Sequence, residues 1–242
     1  MSLLILGGTG EARRLAQALH GRGLDFTLSL AGATRDPTPA HGRQRVGGFG
    51  GAEAFATYLQ DQNITRIVDA THPFASRITA RSWAVAQQMG IPYVQVLRPP
   101  WQPRHGDVWH EISTEDQAAL FVEPDQVVFL ATGRQTLGKF AGLSHAHLIC
   151  RQIDPPESDF PFPNGRFLIG RPPFSVADEV ALFEELQVDW LVVKNAGGAA
   201  SATKLDAART LGIPVLMMRR PPPAGCPTLN GVEEALDWLG AG

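Results

Sequence analysis

Short apolar runs that end in a glycine turn and lead into helically spaced apolar residues recur along this chain, and no other feature restricts its fold more. Leu3-Leu4-Ile5-Leu6 is unbroken, as expected of a strand covered on both faces. Gly7-Gly8-Thr9-Gly10 follows, and then Ala12, Leu15, Ala16 and Leu19 lie on one helical face. The unit repeats as a strand over 26–30, a helix over 51–59 with Ala52, Phe55 and Leu59 on one side, and a strand over 66–69. A helix carrying Phe74, Ile78, Val85 and Met89 and a strand over 92–97 complete the series. Strands alternating with helices imply a mostly parallel sheet in an α/β fold.

Residues 98–107 (RPPWQPRHGD) hold three prolines and no periodicity, which ends the first sheet and places a domain boundary. The expected domains are 1–103 and 104–242. The second half resumes with strands over 126–131, 166–169, 190–194 and 214–218 and helices over 176–186, 200–211 and 232–239. The halves echo each other. Gly90-Ile91-Pro92 and Arg98-Pro99-Pro100 return 122 residues later as Gly212-Ile213-Pro214 and Arg220-Pro221-Pro222, and Thr9-Gly10 returns 123 later as Thr132-Gly133. Duplicated architecture explains this, and so does coincidence of common turn residues.

Composition removes several function classes. A hydrophobic share of 44% in 242 residues is ample for buried cores, and a formal net charge of -3 gives no general attraction to nucleic acid or anionic membrane. Any anion site must therefore be local. Cys150 and Cys226 stand far apart, outside any CxxC spacing, so neither a disulfide framework nor a cysteine zinc site is expected, and the cytoplasm is the default compartment. No run of about eighteen apolar residues is present to span a bilayer. HExxH, GxSxG and EF-hand patterns are absent, and only His145-x-His147 pairs two histidines, so no metal is expected.

Three turns carry chemistry. A strand delivering Gly7, Gly8, Thr9 and Gly10 to a helix N-terminus aims backbone N–H groups and the positive end of the helix dipole where a phosphate would sit. The G-x-G-x-x-G pattern is incomplete, because Gly8 and Gly10 match but Arg13 takes the third place. After the second strand, Thr34 and Arg35 offer a hydroxyl and a guanidinium where an NAD site shows a carboxylate, which favours NADP, while Asp36 leaves NAD open. Thr71-His72-Pro73 bends the chain at the carboxyl end of another strand and puts proline in the first turn of a helix. Lys194-Asn195-Ala196-Gly197-Gly198, with Thr203 and Lys204 on the following helix, is a third edge turn suited to an anion. Residues 133–139 have phosphate-loop spacing, but Phe140 stands where a magnesium-binding hydroxyl is required.

GGTGEARRLA at 7–16, DATHPFA at 69–75, LRPPW at 97–101, LATGRQTL at 130–137, IGRPPFS at 169–175 and KNAGG with KLDAAR at 194–209 together resemble the precorrin-6A reductase family, nearly end to end. The resemblance implies two Rossmann-like domains flanking a central cleft, and reduction of one carbon–carbon double bond of a corrin precursor with NADPH, in cobalamin biosynthesis. It implies that Gly7, Gly8, Thr9, Gly10, Glu11 and Ala12 hold the cofactor's phosphates and ribose, with Thr71, His72 and Pro73 beside it. Two departures from the family pattern are Ala33, where arginine is usual, and Ala196, where serine is usual; the first shifts 2'-phosphate recognition to Arg35. A polycarboxylate macrocycle calls for cations at strand ends, which makes Arg98, Arg134, Arg151, Arg171, Lys194, Lys204 and Arg220 candidates. Asn195, Gly197, Gly198 and Thr203 join them as substrate contacts, and Lys194 and His72 are candidate proton donors. The partner is a tetrapyrrole small molecule, with no nucleic acid or membrane, and a monomer is expected. The alternatives are a cobalt-bearing substrate with NADH, a different NADP oxidoreductase or epimerase, and a non-catalytic NADP sensor. Tyr58 and Tyr93 are followed four residues on by Gln62 and Leu97, which removes the Tyr-x-x-x-Lys pair of short-chain epimerases.

Overall fold

A computed structural model describes residues 2–32 and 41–241. It divides into two compact units, Met1–Pro99 with Pro221–Gly242, and Pro100–Arg220. The first unit contains β1 (Leu3–Leu6), α1 (Gly10–Gly21), β2 (Phe26–Leu30), β3 (Arg43–Val46), α2 (Ala52–Asp61), β4 (Arg66–Asp69), α3 (Ser76–Met89) and β5 (Tyr93–Val96). The second contains β6 (Trp109–Ile112), β7 (Val127–Leu130), β8 (His147–Gln152), β9 (Gly165–Ile169), α4 (Val176–Glu185), β10 (Trp190–Lys194), α5 (Thr203–Leu211) and β11 (Val215–Met218). The chain then returns to the first unit as β12 (Thr228–Leu229) and α6 (Val232–Leu239).

Each unit has one six-stranded parallel sheet, ordered β3-β2-β1-β4-β5-β12 and β9-β8-β7-β10-β11-β6. Both orders reverse direction beside the first central strand, between β1 and β4 and between β7 and β10, which is the doubly wound arrangement that places ligands at the carboxyl ends of the strands. The outermost place beside β5 is filled by β12 and the one beside β11 by β6, so the strand that follows each fifth strand in sequence serves the other sheet. This corrects the expected division at residues 103 and 104. The last strand and helix belong to the first unit, because Thr228 and Leu229 complete the ladder of β5 and Ala235, Leu236 and Leu239 bury their apolar face in that core. The sequence echo has a structural counterpart: Gly90 and Gly212 both end their helices in the left-handed conformation, at φ 67 and φ 68.

The β1, β4, β5, β7 and β11 strands are almost wholly buried, which is why β1, β7 and β11 read as continuous apolar runs, while β4 and β5 bury Asp69 and Gln95 as well. Leu15 and Leu19 of α1 and Leu236 of α6 pack with Leu3, Ile5 and Val68 on one face of the first sheet, while Phe55 of α2 and Val85 of α3 pack with Leu4, Leu6 and Ile67 on the other. In the second unit, Phe183 of α4 and Leu205 of α5 cover Phe129, Leu191 and Met217. Burying each such side chain is worth about 1.5–3 kcal/mol. The opposite face of the second sheet carries 3-10 segments, Glu115–Leu120 and Arg134–Leu143, which contact each other, the latter also contacting β8.

Candidate active site

In the first unit the carboxyl ends of β1 and β4 bring the glycine turn and the Thr71 turn together. Gly7 is a packing glycine: an added Cβ would lie 2.7 Å from Leu28 Cδ1. Gly8 has φ +124, a conformation that side chains resist, and its surroundings are open. Gly7 and Gly8 are thus the constrained pair, not the Gly8 and Gly10 of the sequence pattern; Gly10 opens α1, with nothing closer than 3.6 Å to a would-be Cβ. Thr9 caps α1 by accepting from the Ala12 N–H at 3.2 Å, and its own hydroxyl donates to the Ala70 carbonyl at 2.7 Å. One buried threonine therefore caps the helix and ties the two strand ends that border the reversal.

Glu11 meets Arg98, from the end of β5, and Arg14. Burial pushes the Glu11 carboxyl up, but backbone hydrogen bonding at the helix start, Arg98 and Arg14 outweigh it and hold the group below the usual carboxylate range. Arg98 and Glu11, a substrate candidate and a cofactor candidate, are partners in one half-buried pair.

The Thr71 turn rests on a network that the sequence reading missed. Asp69 is fully buried and accepts from the Thr71 N–H at 2.9 Å, the Thr79 hydroxyl at 2.6 Å and the Tyr93 hydroxyl at 2.7 Å. Burial and the neighbouring Asp69 charge raise the Tyr93 phenol far above its ordinary value, so it stays a donor. His72 Nδ1 accepts from the Phe74 N–H at 3.2 Å, and its carbonyl accepts from the Ala75 N–H. The α3 helix starts at Ser76, with Pro73 in the turn before it, so proline is not in the first helical turn as expected. The His72 and Ala75 bond closes a separate turn first. Thr34 and Arg35 lie outside the described residues. Arg45, also unforeseen, bonds the Ser29 hydroxyl and the Gly47 and Gly48 carbonyls and lies 3.8 Å over the Phe49 ring, fixing the end of β3 beside β2.

In the second unit, Lys194 Nζ donates to the Thr132 carbonyl at 3.0 Å across the β7–β10 reversal. Burial draws its ammonium below the usual lysine range. The Asn195 amide pairs with both backbone groups of Trp101, at 2.8 and 3.0 Å, and the Trp101 indole donates to the Gly198 carbonyl. Arg220 donates to the Asn195 and Ala196 carbonyls. Gly197 and Gly198 have φ +69 and +83, which explains the glycine pair at this turn.

Arg151 and Glu179 form a bidentate pair with both distances 2.7 Å, their side chains 9% and 0% exposed. Phe174 stacks on the Arg151 guanidinium at 4.4 Å, and Gly170 makes room, since a Cβ there would lie 3.0 Å from the Phe174 ring. Lys204 donates to the Ser201 carbonyl, and burial, helped by Arg151 and opposed by Glu179, pushes its ammonium down to about 8. The IGRPPFS segment thus builds a buried cationic cluster, with Ser175 capping α4 through a reciprocal pair with Asp178. Arg171 faces Asp154 at 3.6 Å, Arg134 is exposed at the start of its 3-10 segment, and Thr203 opens α5. Residues 133–139 enter that 3-10 segment and form no phosphate loop.

Comparison with known proteins identifies the lineage. The family model described as Precorrin-6x reductase CbiJ/CobK matches residues 2–240. The chain belongs to this precorrin-6x reductase family. It is similar to the Precorrin-6A reductase of Rhodococcus erythropolis, 47% identical over 241 residues, covering 98% of this chain and 97% of the relative. It is also similar to the Cobalt-precorrin-6A reductase of Priestia megaterium, at 27% identity over 90% of each. A solved structure of CobK precorrin-6A reductase superposes with a TM-score of 0.95 at 36% identity, covering 99% of this chain and 96% of that one. For this family member the expected α/β class with two parallel sheets therefore holds. Among the described residues no helix is long and apolar enough to cross a membrane, and no group of three or more His, Cys, Asp or Glu could hold a metal ion.

Proposed function

We propose that this chain reduces one carbon–carbon double bond of precorrin-6A to give precorrin-6B in cobalamin biosynthesis, with NADPH as reductant. The observation that carries the reading is 47% identity to a precorrin-6A reductase along nearly the whole chain. The lower, 27% identity to a cobalt-precorrin-6A reductase favours the metal-free substrate. The cofactor's nicotinamide would supply hydride. Gly7 and Gly8 allow close backbone approach, Thr9 orders the start of α1, and the N–H groups there suit a pyrophosphate. Glu11, held ionised by Arg98 and Arg14, suits a ribose hydroxyl, while Ala12, Thr71, His72 and Pro73 shape the neighbouring wall. Thr34 and Arg35 are the proposed 2'-phosphate contacts.

Lys194 and His72 are the proposed proton donors. Burial makes the Lys194 ammonium a stronger acid than a surface lysine, which suits proton delivery. The protein otherwise acts by positioning two rings, and effective molarity in well-oriented systems accounts for about 7–11 kcal/mol of barrier at best. Arg134, Arg171, Asn195, Gly197, Gly198, Thr203 and Arg220 are proposed substrate contacts through their exposed atoms or as the frame of the turn. Arg98, Arg151 and Lys204 act through the field of their clusters. Two buried thiols, Cys150 and Cys226, suit the reducing cytoplasm.

The test is to incubate the purified protein with metal-free or cobalt-bearing precorrin-6A and NADPH or NADH in turn. Metal-free substrate with NADPH is expected to give the fastest loss of nicotinamide absorbance. Oxidation in none of the four mixtures rejects the reductase reading, and dinucleotide binding without turnover would favour a sensor.

A further inference from the structure

Among the described residues, six buried side-chain polar atoms have no hydrogen-bond partner within the protein, and four of them lie together in one part of the second unit: Thr132 Oγ1, Thr136 Oγ1 and both amide atoms of Gln152. Buried polar groups are nearly always paired, so such a concentration calls for a cause. Thr132 and Gln152 are each only 8% exposed. Thr132 follows the end of β7 and Gln152 closes the adjacent β8, two residues beyond the Leu130 and Cys150 pair in each case. Ile149 and Arg151 face α4, so the pleat turns Cys150 and Gln152 to the opposite side, the one covered by Arg134–Leu143, which carries Thr136. Lys194, on the neighbouring β10, touches Thr132 through its carbonyl.

The equivalent turn in the first unit shows what is unusual. There Thr9, 123 residues earlier, spends its hydroxyl on both the Ala70 carbonyl and the Ala12 N–H. In the second unit the threonine hydroxyl makes no such tie, and a lysine bridges the reversal instead. The fold thus uses the same turn once to fasten strands and once to leave polar groups unspent.

We propose that Thr132, Thr136 and Gln152, beside Lys194, form a specificity pocket for one carboxylate arm of the tetrapyrrole. Two hydroxyls and an amide NH2 beside an ammonium match the acceptor-only character of a carboxylate and the charge it brings. This deepens the proposed reductase reading and rests on it for the identity of the ligand. It also accounts for three of the four orphaned atoms, the two hydroxyls and the Gln152 Nε2, since desolvated donors held for a ligand weaken the ligand-free fold and are retained for recognition; the Gln152 Oε1, an acceptor, takes no bond from the carboxylate.

The test uses the full-length protein with Gln152→Leu and Thr132→Val. In the ligand-free state both variants are expected to melt at or above the wild-type temperature, because apolar atoms replace unpaired ones. With precorrin-6A and NADPH, KM for the tetrapyrrole is expected to rise at least tenfold, with kcat changed less than threefold and NADPH affinity unchanged. Tetrapyrrole binding without dinucleotide, followed by tryptophan quenching, should weaken by the same factor. A fall of several degrees in the ligand-free melting temperature, or a KM and a dissociation constant within twofold of wild type, overturns the proposal. If the wild type binds precorrin-6A but does not reduce it, the reductase reading falls alone, and the quenching comparison still decides the pocket.

Discussion

Glu179→Gln keeps the shape of the α4 side chain and removes one charge, so its cost isolates the buried pair with Arg151. Arg151 is 9% exposed and Glu179 0%, so the pair, joined by two 2.7 Å contacts, is almost wholly removed from bulk water. The variant leaves Arg151 uncompensated, with the Lys204 ammonium already disfavoured by it. Breaking a buried pair by removing one partner costs about 3–5 kcal/mol, whereas an exposed pair yields about 0–1. For a unit the size of Pro100–Arg220 that corresponds to a fall of roughly 10–20 °C in melting temperature. Thermal unfolding followed by circular dichroism measures it. The double variant Arg151→Met with Glu179→Leu should recover most of the loss, because well-packed apolar groups remove both desolvation penalties. A melting temperature for Glu179→Gln within about 3 °C of wild type, where the exposed-pair magnitude would put it, would show that water reaches the pair and that the burial argument is wrong.

The same cluster sets a pH dependence. Lys204 sits near 8 in the folded chain against 10.5 ordinarily, so between those values the unfolded chain binds more protons and folding stability rises with pH. The difference in unfolding free energy between wild type and Lys204→Met should climb through that window by at most about 1.4 kcal/mol per pH unit, and a flat difference counts against it. Gly8→Ala, at φ +124 with open surroundings, should cost about 1–3 kcal/mol through backbone strain alone, read by urea unfolding. Gly7→Ala should cost a similar amount through overpacking against Leu28, and equal stability to wild type would show that Leu28 gives way freely. Thr9→Val removes the bond to the Ala70 carbonyl and the α1 cap together; a loss of about 2–3 kcal/mol and a raised KM for NADPH are expected, and unchanged values for both would detach Thr9 from the site.

Most strands that the sequence disclosed lie inside their sheets and most that it hid are edges, but β8, an interior strand, was not expected, and β9, an edge strand, was expected over 166–169. The strands β1, β2, β4, β5, β7, β10 and β11 sit inside their sheets and carry their own apolar signal. Arg43–Val46, largely exposed, and the two-residue Thr228–Leu229 are edge strands that exist because a neighbour offers a ladder, and periodicity cannot register a neighbour. The domain boundary was misplaced for the same reason: the prolines after Leu97 and after Arg219 mark where the chain leaves a sheet, but not which sheet it joins next. The candidate site divides along that line too. The Gly7-Gly8-Thr9 turn and the start of α1 are local, and their geometry follows from residue types a few positions apart. Asp69 with Tyr93, Arg151 with Glu179, and Asn195 with Trp101 depend on partners 24, 28 and 94 positions away, brought together only once both the strand order and the register exist.

That division has a consequence for how the two halves work. Each sheet carries its reversal at the same place, yet only the first spends its threonine on holding strands together, and the second carries a buried, desolvated lysine there, Lys194, while Lys204 lies on the α4 side of that sheet beside Arg151 and Glu179. Lowered ammonium groups and orphaned donors both weaken a fold unless something bound repays them, and a bound carboxylate would relieve both at once by raising Lys194 toward its ordinary range and satisfying the hydroxyls. A polycarboxylate ligand whose charge reaches Lys204 should accordingly stabilise the second unit fully below about pH 8 and progressively less above it, because there binding must take up a proton on Lys204. Calorimetry in buffers of different ionisation enthalpy measures that uptake directly. Binding that takes up no proton at pH 8 to 9 would place Lys204 outside the field of the bound carboxylates and leave its burial a matter of packing alone.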